Sequence, residues 1–108
     1  MKELFEIQAN ICKALSNPKR VEIVYSLKGG EVGVSEIVKE VGLSKANVSQ
    51  HLAVLRNAGI VKARRDGLNV YYSIANEKIV SACSTMREFL IESIEHDKEL
   101  LNRIKKIK

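Results

Sequence analysis

Between Ser44 and His51 the chain sets out hydroxyl, ammonium, amide and imidazole groups: Ser44, Lys45, Asn47, Ser49, Gln50 and His51. Such groups donate and accept hydrogen bonds, and they match what base edges in the DNA major groove and phosphate oxygens present. Arg64 and Arg65 follow as two permanent cations. Asn47 and Gln50 are the candidates for adenine, which offers a donor beside an acceptor. Ser44, Lys45 and Ser49 suit phosphate or mixed roles, His51 suits phosphate when charged, and Arg64 and Arg65 suit phosphate. Plainer roles stand beside these: Ser44 as a helix cap, Asn47 and Gln50 as solvated residues, His51 packed at a helix edge, the arginines as charges guarding an edge strand. The only acid near the arginines in sequence is Asp66, which favours phosphate.

The apolar residues around these groups say what must hold them. Val48, Leu52 and Leu55 recur at intervals of four and three, so a helix that buries them turns Lys45, Asn47, Ser49, Gln50 and His51 outward. Ser44 can cap it. Ahead of it, Ile37, Val38 and Val41 mark a shorter helix that ends at Gly42, where a residue without a Cβ enters the left-handed region cheaply, and Leu43 plugs the turn. Behind it, Gly59 supplies a terminating glycine. Residues 60–65 then pair with 70–74 as a basic hairpin across Asp66-Gly67-Leu68-Asn69, with Val70, Tyr72 and Ile74 alternating against Tyr71 and Ser73 as in a half-buried strand.

Toward the termini, Leu4, Ile7, Ile11 and Ala14 form a buried stripe on an opening helix that ends near Leu15. Pro18 starts a second helix that runs to about Leu27, with Ser16 or Asn17 as cap and Val21, Ile23, Val24 and Leu27 facing the core. Lys28-Gly29-Gly30 breaks it, and a short extended piece covers residues 31–34. After the hairpin, Asn76 can cap one long helix over about 76–106, with Ile79, Cys83, Met86, Leu90, Ile94, Leu101 and Ile104 on one stripe, roughly 45 Å long at the usual rise. Such a helix outreaches a small domain, and its far stripe needs a partner. A homodimer through both terminal helices is expected, the alternative being a monomer whose last helix folds back on its first.

Residues 1–108 therefore read as a single domain with a mainly helical α+β fold in the order α-α-(short β)-α-α-β-β-α. The helix-turn-helix covers about 34–58, the hairpin about 60–74 and the dimerisation helix about 76–106. The net charge is +5, unevenly spread: over residues 44–72, Lys45, Arg56, Lys62, Arg64 and Arg65 face Asp66 alone, and the last eleven residues are again strongly basic. No apolar run is long enough to cross a bilayer, and the acids of the first residues do not fit a signal peptide, so a cytoplasmic protein is expected. No glycine-rich phosphate loop or hydrolase-like grouping of His, Cys and Asp is present, and Gly29-Gly30 is a lone pair, so an enzyme is not expected. A module that binds protein would show an acidic or apolar face over 44–56, where this chain is polar and basic. Cys12 and Cys83 lie far apart in sequence, against a disulfide scaffold or a CxxC metal clip, and both fall on apolar stripes where free cysteine acts as a small hydrophobe.

Three segments together resemble the ArsR/SmtB-type winged-helix repressors: ALSNPKRVEIVYSL (14–27), VSEIVKEVGLSKANVSQHLAVLRNAGIV (34–61) and KARRDGLNVYYSI (62–74). They span about half the chain. The resemblance implies a dimeric transcriptional repressor on a palindromic operator, with the helix begun by Ser44 in the major groove and the wing over the neighbouring minor groove or backbone. Carried over by position, it implies Ser44, Lys45, Asn47, Ser49, Gln50, His51, Arg64 and Arg65 as the DNA-binding residues, with Asn69 as a further candidate on the DNA backbone.

Members of that family often release DNA when an effector binds, and here the metal-sensing patterns are missing. Residues 31–36 contain no thiol where a Cys-x-Cys-like box is usual, and Asn76 and Lys78 stand where the last helix usually carries Asp and His. His96, with Glu92, Glu95 and Asp97 near it, leaves a zinc site as an alternative, but no metal and no cofactor is expected because zinc wants three or four convergent ligands. Redox or persulfide sensing through Cys12 and Cys83 is the other alternative, since both lie on helices expected to pack together. That correspondence is incomplete, because the early cysteine of such pairs usually sits on the second helix, where this chain has Tyr25. Thiol, metal or no effector at all stay open.

Overall fold

Pro18 fixes φ and lacks an N–H, so it favours the first turn of a helix and disfavours helix at Asn17. The computed structural model, which describes residues 1–95 and 97–107 without the side chains of 98, 101 and 107, places helix α1 at Lys2–Ala14 and helix α2 at Pro18–Ser26. Asn17 caps α2, its Oδ1 accepting from Lys19 N at 2.9 Å and Arg20 N at 3.2 Å. The cations that follow Pro18 each close another helix: Lys19 Nζ donates to Val41 O at 2.8 Å, and Arg20 Nε donates to Ala14 O at 2.5 Å. Both occupy carbonyls that a helix C-terminus leaves open.

Strand β1 (Val32–Gly33) leads directly into α3 (Val34–Val41), and α4 (Lys45–Asn57) follows after Gly42, whose φ of 68° is the left-handed value that the sequence requires there. Helix α4 ends in a two-bond closure: Gly59 N donates to Arg56 O and Ile60 N to Leu55 O, both at 2.9 Å, with Gly59 at φ 78°. This is a Schellman arrangement. Strands β2 (Val61–Asp66) and β3 (Asn69–Ile74) form the hairpin, and the antiparallel sheet runs β1-β3-β2. Ile23, Val24, Leu27, Ile37, Val41, Val48, Leu52, Leu55, Ile60, Val61 and Ile74 are the buried apolar side chains that pack α2, α3 and α4 against the sheet. Each such side chain contributes roughly 1.5–3 kcal/mol over leaving it in water.

The chain forms two compact units, Met1–Glu77 and Lys78–Lys108. The second holds α5 (Lys78–Ser93) and α6 (Lys98–Ile107), where one unbroken helix over 76–106 is expected from the apolar stripe. The break has a local cause. Glu92 and Glu95 put negative charge at the negative end of α5, and Asp97 is a better cap than helix interior residue, its Oδ1 accepting from Leu100 N at 3.0 Å. Leu101, part of the expected stripe, has its side chain outside the described set.

Three further expectations are revised. The hairpin connection is shorter, because Asp66 pairs with Asn69 and leaves Gly67-Leu68 as a two-residue loop with Gly67 at φ 62°. Burial does not alternate along β3, since residues 70–73 are all half-buried; β3 is the central strand, flanked on both edges. On α1, only Ala14 of the expected stripe is buried, while Leu4 and Ile7 stay exposed and Phe5 beside them is 63% exposed.

Candidate nucleic-acid interface

Ser44 begins the interface by satisfying the helix it starts: its Oγ accepts from Asn47 N at 3.2 Å. With Val48, Leu52 and Leu55 fully buried, the 3.6-residue period leaves Lys45, Asn47, Ser49 and Gln50 exposed on α4. No acid occupies the first turn, so the positive end of the helix dipole and Lys45 reinforce each other. His51 differs from its neighbours. It is half-buried, and its Nδ1 lies 3.4 Å from Nη1 of Arg20, the guanidinium that also holds the end of α1. Because an arginine only donates, this contact casts Nδ1 as acceptor and leaves the ring proton on Nε2 in the neutral ring.

The wing carries its charges on two faces. Lys62, Arg64 and Asp66 alternate with Val61, Ala63 and Arg65, and the cross-strand partners are Ser73, Tyr71 and Asn69 on one face and Ile74, Tyr72 and Val70 on the other. Arg65 is exposed beside the tip, and Leu68 at the tip is completely exposed. Lys45, Arg56, Lys62 and Arg65 make no ion pair with another described residue. Helix α4 and the wing share a cleft of about 640 Å³, bordered by Lys45 and Ser49 on one side and by Leu68, Asn69, Val70 and Tyr72 on the other.

Arg64 has a partner that the local sequence conceals. Its Nε donates to Glu31 Oε2 at 2.9 Å and its Nη2 to Oε1 at 2.8 Å, while the guanidinium lies 4.8 Å from the centre of the Tyr71 ring. Asp66 is the only acid near the arginines in sequence but not in space, so the expectation that Arg64 is left open for phosphate is corrected. Pairing of β1 with β3 sets residue 31, just before β1, at the edge of the central strand, and the Glu31 side chain meets Arg64 of β2 across it. The hydrogen bonds from Arg64 hold the Glu31 carboxyl below the usual carboxylate range, helped by the charges of Arg64 and Lys62 and opposed by desolvation. A depressed folded value means the pair contributes to stability above the ordinary carboxylate pKa and loses that contribution as pH falls through the depressed one. A carbon-13 titration of the Glu31 carboxyl should therefore show a midpoint below that of an unperturbed glutamate, moving upward in Arg64→Gln. An identical midpoint in both proteins would remove Arg64 as the cause.

Cys12 is exposed on α1 and Cys83 is half-buried on α5; both are free thiols. Burial pushes the Cys83 thiol up, with Arg87 opposing. Among the described residues no three His, Cys, Asp or Glu side chains stand together as a metal site. His96, around which the zinc alternative was built, lies outside the described residues.

The sequence reading missed Glu31, Tyr71 and Arg20 as parts of this surface. The hairpin register alone already sets Arg64 opposite Tyr71. Glu31 and Arg20 reach it only through tertiary pairing.

Residues 17–63 match the family model described as bacterial regulatory protein, arsR family. The HTH-type transcriptional regulator Rv0081 of Mycobacterium tuberculosis is 40% identical over 88 residues, covering 81% of this chain and 77% of that protein. The transcriptional repressor SdpR of Bacillus subtilis is 32% identical over 81 residues, covering 75% of this chain and 90% of its own. Among solved structures, the homodimeric winged helix-turn-helix DNA-binding domain Mb0332 (fragment 1–100) from Mycobacterium bovis superposes with a TM-score of 0.80 at 33% identity, covering 88% of both chains.

Proposed function

Because the chain belongs to the arsR family of bacterial regulatory proteins, we propose that it is a homodimeric repressor that reads a palindromic operator through α4 and the wing. It is a DNA-binding transcriptional regulator and not an enzyme. The observation that carries the finer reading is the row of exposed polar and basic side chains on α4, set over three buried ones and free of acids in its first turn. In this reading Asn47 and Gln50 face base edges in the major groove. Ser44, Lys45 and Ser49 hold phosphates or share base contacts, His51 offers its Nε2 proton, and Arg64 and Arg65 lie on the flanking backbone.

Dimerisation is supported by the apolar side chains that α1 and α5 leave in water. Phe5 and Phe89 are each 63% exposed, with Leu4, Ile7, Met86 and Leu90 also exposed. Clusters of this kind mark association surfaces. Two-fold pairing of the chains gives two copies of α4 for two operator half-sites. The relative SdpR, a transcriptional repressor, and the homodimeric Mb0332 domain support the same reading. No described helix is long and apolar enough to cross a membrane, and we place the protein with its DNA in the cytoplasm. For release from DNA, redox or sulfur sensing through Cys12 and Cys83 remains part of the proposal, with exposed Cys12 the thiol an oxidant meets first.

A mobility-shift titration of the DNA upstream of its own coding sequence tests this. The expected complex survives excess unrelated DNA and weakens as salt rises. Binding indifferent to both sequence and salt would defeat the proposal.

A further inference from the structure

The outer face of the sheet holds a lane of three residues in register: Gly33 beside Tyr71, and Tyr71 beside Arg64. A Cβ built on Gly33 would stand 3.5 Å from the Tyr71 ring, so the glycine leaves the ring lying close over β1. The Arg64 guanidinium then rests 4.8 Å from the centre of that ring, and the Glu31 carboxylate grips its edge through two bonds of 2.8 and 2.9 Å. The aromatic floor restrains a long side chain that would otherwise lose rotamer freedom on binding anything. A fork of two N–H groups offered to a carboxylate has the geometry that also receives two oxygens of a phosphate.

Glu31 is placed to be displaced. The side chains of Arg64 and Glu31 are 54% and 37% exposed, so water and salt reach the pair, and an ion pair in such surroundings is weakly held. A DNA backbone brought against the wing adds a dense row of phosphates that attracts Arg64 and repels Glu31.

We propose that Arg64 and Tyr71 form a preformed seat for a DNA phosphate, which Glu31 fills in the free protein and vacates when DNA binds. Glu31 is thereby a brake on DNA affinity that acts through Arg64. The proposal rests on the reading that the wing lies along the DNA backbone. A purely structural clamp would have the opposite sign, because loosening the wing weakens binding.

The test is fluorescence anisotropy on a labelled duplex from the protein's own upstream DNA, with matched thermal melts confirming that every variant is folded. Glu31→Gln should tighten binding about three- to tenfold at low salt, as removal of a like charge from a charged interface does. Arg64→Gln should weaken it, and Arg64→Lys, which keeps the charge and loses the fork, should fall between. In the Arg64→Gln background, Glu31→Gln should have no effect. The seat is overturned if Glu31→Gln leaves affinity unchanged or lowers it, or if it tightens binding equally without Arg64, which is the signature of bulk charge alone. Arg65→Ala separates the two readings: if it weakens binding while Glu31→Gln does nothing, the seat falls and the wing contact stands. If neither Arg65→Ala nor Arg64→Gln changes binding, the wing reading falls and takes the seat with it.

Discussion

Leu55→Ala should destabilise the protein by about 2–5 kcal/mol, the cost of truncating a fully enclosed leucine and leaving a cavity behind. Leu55 has no exposed surface, and two roles meet in it. It is the last of the three residues that seat α4 on the core, and its carbonyl receives Ile60 N in the closure that ends the helix. Ile60 is itself buried at 3% exposure, supplying the apolar partner that usually accompanies this kind of helix ending. For a chain of this size the melting temperature should fall by about 10 °C or more, measured at equal protein concentration because dimerisation couples to folding. A loss below about 1 kcal/mol would mean that α4 is held elsewhere.

Gln50→Ala and Arg65→Ala should both weaken DNA binding, in distinguishable ways. Gln50 is exposed on the face of α4 that the proposed function sets in the major groove, and an amide that bonds one base edge contributes to discrimination; its loss should cost about 1–3 kcal/mol on the operator and relax preference at one position. Arg65, exposed at the wing and without an ion-pair partner among the described residues, should act on phosphate. Its loss should weaken operator and unrelated duplex alike and reduce the salt slope by about one. Competition titrations over a series of single-base operator variants read both effects. Equal profiles for the two variants would rule out the division of labour between helix and wing.

Helix α4 was legible in the sequence because one short-range rule decides it. The spacing of Val48, Leu52 and Leu55 sets which side chains face out, and Ser44 and Gly59 mark its ends. The hairpin was legible for the same reason, as far as strand pairing goes. What stayed hidden was set by contacts distant in sequence. Burial along β3 depends on β1 arriving at its other edge, a strand only two residues long. That arrival carries Glu31 to Arg64, which no count of neighbouring charges could reveal. The break before α6 is a different kind of miss: Asp97 and the acids before it were visible, but the continuing apolar stripe concealed their effect as a helix stop. His51 was read as outward from periodicity alone, whereas Arg20 of α2 draws it to the flank of α4.

Backbone amide shifts followed by nitrogen-15 NMR, as the protein is titrated with a duplex from its own upstream DNA, test the central claim most directly. The largest changes should fall on Ser44–His51 of α4 and on residues 64–69 of the wing, with α1 and α5 little altered. The largest changes on α1 and α5, with α4 and the wing unmoved, would contradict it.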